Sequence, residues 1–195
     1  MKEYIKDQIK SSYETKQKIY ENDMLIDIIE KVAAKCVDVY KKGKKTIIAG
    51  NGGSAADAQH IAAELVGRYG FDRPSLPSLA LTTDTSNLTA IGNDYGYDKV
   101  FSRQLEGMGQ EGDIFIGIST SGNSANIINA FNSAKAKGIT TVALAGRDGG
   151  KMAQMADMAI VVPSNDTPRI QESHILIGHI ICDIIEKEIF AEGVK

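Results

Sequence analysis

His60 and Glu64 stand four positions apart just after a glycine-rich break, in the stretch 46-TIIAGNGGSAADAQHIAAELVGRY-69. On a helix that spacing puts both side chains on one face about one turn apart, close enough to share a metal ion or a substrate. A second group follows more than a hundred positions later: Gln171, Glu172, His174 and His179, set in an isoleucine-rich segment. Two imidazoles, a carboxylate and an amide oxygen make a workable donor set for a divalent zinc ion. Gln171 and His179 are eight residues apart, about 12 Å along a regular helix. Either they reach one ion from its flanks, or they come from different subunits and the site lies at an interface. His174 has no comparable partner and reads as a structural or supporting residue.

Two further stretches suit an anion. After the apolar run "IIAG" come Asn51, Gly52, Gly53 and Ser54; after "FIGIS" come Thr120, Ser121, Gly122, Asn123 and Ser124. Each sits where a buried strand should meet a helix N-terminus, whose unpaired N–H groups and positive dipole end attract phosphate. Ser119, Thr120, Ser121 and Ser124 offer four hydroxyls within six residues. A helix cap requires only one. Gly50 to Ala55 also fits the loose pattern G-x-G-x-x-A, but a lone match is weak support for a dinucleotide. A small phosphorylated metabolite suits these loops better.

The elements that must hold these residues are visible in the hydrophobic pattern. Five short apolar runs, at 46–50, 78–82, 113–119, 140–146 and 158–163, alternate with longer helix-like segments. Near-continuous apolar runs mean strands buried on both faces, and strand–helix alternation gives a parallel sheet covered on both sides. The expected fold is α/β: a three-layer α/β/α sandwich on a five-stranded parallel sheet, preceded by N-terminal helices. Residues 1–42 carry Leu25, Ile28, Ile29, Val32, Ala33 and Cys36 at helical spacing. Residues 43–195 form the α/β core with its C-terminal helix, and the whole chain reads as a single domain. Ile170, Ile177, Ile180, Ile181, Ile184 and Ile185 occupy much of the last helix's circumference, so burial against both the sheet and another subunit is expected.

Composition narrows the function classes. With 43% hydrophobic and 24% charged residues the chain is neither disordered nor fibrous. A net charge of -3 gives no overall field for nucleic acid or an anionic membrane, and "KKGKK" at 41–45 reads as a solvated helix end. No nucleic-acid or membrane partner is expected. The charged N-terminus lacks the apolar core of a signal peptide, and no apolar run is long enough to span a bilayer. Cys36 and Cys182 lack CxxC spacing and read as free buried thiols in a reducing, cytoplasmic setting.

Taken together, "AGNGGSAADAQHIAAEL", "IGNDYGYD", "FSRQLE", "GDIFIGISTSGNSANI", "DGGKMA" and "RIQESHILIGHIICDIIE" resemble the phosphoheptose isomerases of the sugar isomerase (SIS) fold over nearly the whole chain. The resemblance implies conversion of sedoheptulose 7-phosphate into D-glycero-D-manno-heptose 7-phosphate, the first step towards ADP- or GDP-heptose for lipopolysaccharide or capsule. It also implies a cytoplasmic homotetramer with one zinc per active site. Its zinc ligands fall on His60, Glu64, Gln171 and His179. Its substrate contacts fall on Asn51, Gly52, Gly53, Glu64, Asn93, Asp94, Ser119, Thr120, Ser121, Ser124 and Gln171. Moving a carbonyl between neighbouring carbons needs a base at the carbon and an acid or metal at the oxygen; Glu64 is the base and His179 the acid in this reading. Two other readings stay open beside it. One is a non-catalytic SIS regulator or initiator-binding protein, against which the presence of both Glu64 and His179 argues. The other is an isomerase of the same fold acting on a different sugar phosphate.

Overall fold

The computed structural model describes residues 1–190. The five apolar runs become β1 (Thr46–Gly50), β2 (Ser78–Ala80), β3 (Ile114–Ser119), β4 (Thr140–Gly146) and β5 (Met158–Val162). Every neighbouring pair is parallel, in the order β2-β1-β3-β4-β5. The helices are α1 (Lys2–Tyr20), α2 (Asp23–Lys41), α3 (Gly53–Val66), α4 (Thr85–Tyr95), α5 (Val100–Met108), α6 (Ala125–Ala136), α7 (Gly150–Met155) and α8 (Thr167–Phe190), with a 3-10 turn over Tyr97–Lys99. The expected three-layer α/β/α sandwich on a five-stranded parallel sheet is the observed architecture.

Residues 1–42 form two helices, because the side chain of Asn22 accepts from Leu25 N–H (3.1 Å) and starts α2 afresh. The pleat then sorts the strand residues into two cores. Ile48, Ile116, Leu144 and Ile160 face the layer that contains α2, α3 and α8. Ile47, Phe115 and Ala143 face the layer that contains α5 and α6, where Phe115 meets Phe131 edge-on with centroids 5.6 Å apart. From β1 the chain steps outward through α3 to β2, then returns through α4 and α5 to β3 on the other side of β1. That reversal makes β1 and β3 the switch point of the sheet, and open α/β sheets bind ligands at the carboxyl ends of such strands.

α8 is the most heavily tied helix. Near its start Arg169 donates to the Gln8 carbonyl (2.7 Å) and to Glu172 (2.6 Å), while Ser12 donates to Glu172 (2.7 Å), docking α1. One turn further His174 is fully buried, and its Nε2–H donates to the Ala145 carbonyl of β4 (2.9 Å). Its Nδ1 has no partner among the described residues. Cys36 and Cys182 are free and buried, and burial pushes both thiols up to about 12. Among the described residues no helix is long and apolar enough to cross a membrane.

Burial drives the His174 imidazole down to about 4, against a partly opposing pull from the Ala145 carbonyl. Between that value and the ordinary 6.5 the unfolded chain binds a proton that the folded chain refuses, so stability is complete above 6.5 and falls on acidification towards 4. The metal-free protein should lose up to about 1.4 kcal/mol per pH unit across this window from His174. His174→Gln should flatten that slope in urea unfolding compared at about pH 7.5 and about pH 5.

Candidate active site

The glycine turn after β1 and the serine turn after β3 lie side by side at the switch point. Asn51, Ser54, Ser119, Thr120, Ser121, Ser124 and Gln171 line one small cavity of about 120 Å³. At about 30 Å³ per water it holds roughly four waters. Among the described residues no lysine or arginine lines it. The donors are neutral: the Ser119 hydroxyl is 2.8 Å from that of Ser124 and 3.4 Å from that of Ser121. Ser124 stands at the N-cap of α6, yet its hydroxyl makes no capping bond, and no side chain caps α3 behind Gly52. Both helix ends therefore keep unpaired N–H groups and their positive dipole ends towards the cavity. Within the turn the Ser121 hydroxyl accepts from Asn123 N–H (3.2 Å), and the Ser119 and Ser124 hydroxyls bond to each other.

Asn51 is held in a reciprocal amide pair. Its Nδ2 donates to Asn126 Oδ1 (3.0 Å), Asn126 Nδ2 donates back (2.8 Å), and the Tyr97 hydroxyl donates to Asn51 Oδ1 (3.3 Å). One amide N–H of Asn51 stays free for a ligand. A larger cleft of about 350 Å³ opens beside Asn51 and Ser124, between Tyr97, Asp98 and Asn126. Another cleft, about 410 Å³ between α4, α5 and α6, contains none of the expected site residues.

Along α3 and α8 the chemistry changes. His60 Nε2 lies 3.0 Å from Glu64 Oε1 and 3.4 Å from His179 Nε2, and the two imidazoles meet edge-on with centroids 4.9 Å apart. One ligand atom from each of the three fits within 4.8 Å of the others. Donors about 2.05 Å from a tetrahedral zinc stand about 3.3 Å from one another, and the two separations from His60 Nε2 match that edge. The three residues fit a metal. Their meeting depends on close helix contact: a Cβ on Gly178 would fall 2.7 Å from Ile61 Cδ1, one residue from His179 and one from His60. Tyr69 completes the rim, with its ring centroid 5.7 Å from that of His179.

Gln171 is placed differently from the other three expected ligands. Its amide packs on Gly53, where an added Cβ would meet Nε2 at 2.6 Å, and it lines the serine cavity. Glu172 faces α1 and His174 is in the core, so neither joins the site. Asn93 and Asp94 lie exposed on α4, bonded to each other at 2.8 Å, outside both the cavity and the metal cluster of their own chain. Gly52 and Gly53 form the turn into α3. The sequence reading did not single out Asp57, one turn before His60. Burial pushes its carboxyl up to about 6, with His60 pulling it back, and its Oδ2 has no partner among the described residues. The i, i+3 spacing to His60 was the only available signal.

A family model for the SIS domain matches residues 8–146. A phosphoheptose isomerase of Sulfurimonas denitrificans is 81% identical over 195 residues, all of both chains. The chain belongs to the phosphoheptose isomerase family. The family's relative from Aneurinibacillus thermoaerophilus is 63% identical, over 97% of this chain and 96% of that one. The solved phosphoheptose isomerase of Neisseria gonorrhoeae superposes with a TM-score of 0.89 at 45% identity, covering 95% of this chain and 98% of that one. Membership of the phosphoheptose isomerases makes the chain an isomerase with the SIS fold.

His60→Ala and His179→Ala should each abolish stoichiometric retention of a divalent metal after dialysis, read as metal per chain by elemental analysis. His174→Gln should leave it unchanged, since that ring faces β4.

Proposed function

We propose that this isomerase converts sedoheptulose 7-phosphate into D-glycero-D-manno-heptose 7-phosphate, opening the route to ADP- or GDP-heptose for lipopolysaccharide or capsule. The observation that carries the proposal is the pairing of a neutral phosphate-sized cavity with the His60, Glu64 and His179 cluster on the same two helices. Ser54 lies six residues before His60 on α3, and Gln171 eight before His179 on α8, so the two ends of the site are separated by about 9 to 12 Å. An extended sugar phosphate bridges that span; a triose phosphate falls short. The heptose assignment is further supported by the name shared by the relatives, which match along nearly their full length.

In this reading Ser119, Thr120, Ser121 and Ser124, with the N–H groups of Gly52 and Gly53, grip the phosphate, and Asn51 binds a sugar hydroxyl through its remaining N–H. His60, Glu64, Gln171 and His179 hold zinc, Gln171 entering from the cavity side. When bound, the ion supplies Lewis-acid polarisation of the substrate carbonyl. Glu64 removes the proton from the carbon beside the carbonyl and returns it to the neighbouring carbon. A carboxylate has two oxygens, so one can face the metal cluster while the other carries the proton. His179 moves the proton at the substrate oxygen.

The chain is proposed to act as one domain, residues 1–42 together with 43–195, in a cytoplasmic homotetramer. Ile5, Ile9 and Tyr13 form an exposed stripe four residues apart on α1, and Leu176 and Ile180 lie exposed on α8. A large apolar surface of this kind is what a subunit contact covers. Asn93 and Asp94, remote from their own chain's cavity, reach substrate in this assembly by serving a neighbouring site.

Glu64→Gln should lower kcat by about a thousandfold, the usual scale for losing a positioned base. Ser121→Ala and Ser124→Ala should chiefly raise KM, because phosphate binding is shared by ground and transition states. Steady-state kinetics on sedoheptulose 7-phosphate with zinc supplied checks both. An unchanged Glu64→Gln rate rules out the base assignment.

A further inference from the structure

The segment between α3 and β2 is held at one buried point. The Glu186 carboxylate accepts from the backbone N–H groups of Tyr69 (2.8 Å), Gly70 (2.5 Å) and Phe71 (3.1 Å), and from Arg73 Nε (2.9 Å). Arg73 spends the rest of its guanidinium on carbonyls: Glu64 (2.8 Å), Leu65 (2.8 Å), Gly67 (3.2 Å) and Pro74 (3.0 Å). The two side chains are 2% and 1% exposed. Burial alone would raise the Glu186 carboxyl, but its four donors hold it below the usual carboxylate range. It is fully charged at neutral pH.

The location of this pair matters more than its strength. Glu186 is seven residues after His179, so it projects from the same face of α8 about two turns on. Arg73 gathers the last carbonyls of α3, that of Glu64 included. One ion pair thus joins the two helices that carry the metal cluster, just beyond the cluster itself. It also grips the N–H of Tyr69, the residue whose ring lies against His179. As a source of stability a buried ion pair is a poor choice, because desolvating two charges cancels most of their attraction. What a planar, five-donor fork provides instead is direction.

We propose that Arg73 and Glu186 are positioning residues for the active site: their ion pair sets the spacing of α3 and α8 and holds Tyr69 against His179, so that His60, Glu64 and His179 keep metal-binding separations. The kinetic consequence rests on the isomerase reading; the metal-binding consequence does not. Arg73 meets Glu64 only at its backbone carbonyl, and neither Arg73 nor Glu186 is bonded to a side chain of the cluster, so both act through the helices and through Tyr69.

The test uses the full chain and three variants, Glu186→Gln, Arg73→Lys and Tyr69→Ala. Zinc affinity is measured by competition with a chromophoric chelator, kcat and KM on sedoheptulose 7-phosphate, binding of inorganic phosphate, and thermal melting. Glu186→Gln and Arg73→Lys should each weaken zinc binding by about tenfold or more, the scale seen when groups supporting metal ligands are lost. Their kcat should fall by a similar factor, with KM and phosphate affinity within about threefold, because the serine cavity lies at the other end of both helices. Tyr69 is 37% exposed, so Tyr69→Ala should melt with the unaltered protein and still lose about tenfold in kcat. If Glu186→Gln fails to fold, the other two variants decide. Melting that drops while zinc affinity and kcat stay within about twofold overturns the proposal and leaves the pair a support of the fold alone. An unaltered protein that binds zinc but does not turn over the sugar phosphate overturns the isomerase reading, and the chelator measurement still judges the positioning role.

Discussion

The contact on which the site depends is the approach of α3 to α8 at Ile61 and Gly178. Glycine at 178 lets the isoleucine side chain lie against the α8 backbone, and any Cβ there would meet it at 2.7 to 2.9 Å. Because His60 precedes Ile61 and His179 follows Gly178, this apolar contact brings the helices close enough for the imidazole nitrogens to stand 3.4 Å apart. Donor geometry at a metal tolerates errors of only a few tenths of an ångström. Dense apolar packing limits how near the helices come, and directed polar contacts must fix the rest.

The other end of the site obeys a different rule. At the serine cavity the binding groups are hydroxyls, amides and helix N-termini, all neutral or partial charges, on a chain with a net charge of -3. Recognition there comes from the number and direction of donors rather than from a field. The cavity forms where the connections after the paired strands β1 and β3 leave to opposite faces of the sheet, so that two helix ends meet at one space. The titratable side chains gather instead at His60, Glu64 and His179.

α8 connects these two ends. Its first turns carry Gln171 to the cavity, its middle carries His179 to the cluster, and its buried polar residues tie it to α1 through Arg169, to β4 through His174 and to the α3–β2 segment through Glu186. Each of these polar groups is buried at a cost that only a directed partner offsets. Their combined effect is to give a largely apolar helix one rotation and one axial position. Isoleucines alone would tolerate small slips, since hydrophobic contact is non-directional.

Much of this was decided by local pattern. The five apolar runs, the helical spacing of residues 25–36, the two strand-to-helix turns and the one-turn pairing of His60 with Glu64 are properties of neighbouring residues, so the sequence by itself determined the layered α/β fold, the place of the two turns and the pair that α3 brings to the cluster. It set His179 within that cluster and His174 apart from it, but could not show why: both lie on one isoleucine-rich helix, and the rotation of α8 against α3 and β4 turns one ring to His60 and the other to the Ala145 carbonyl. Nor could it show Asn126 holding Asn51, or Arg73 and Glu186 meeting across 113 positions. Those pairings belong to the tertiary structure: directional contacts between elements distant in the chain are set by packing, and packing leaves no periodic trace in the order of residues.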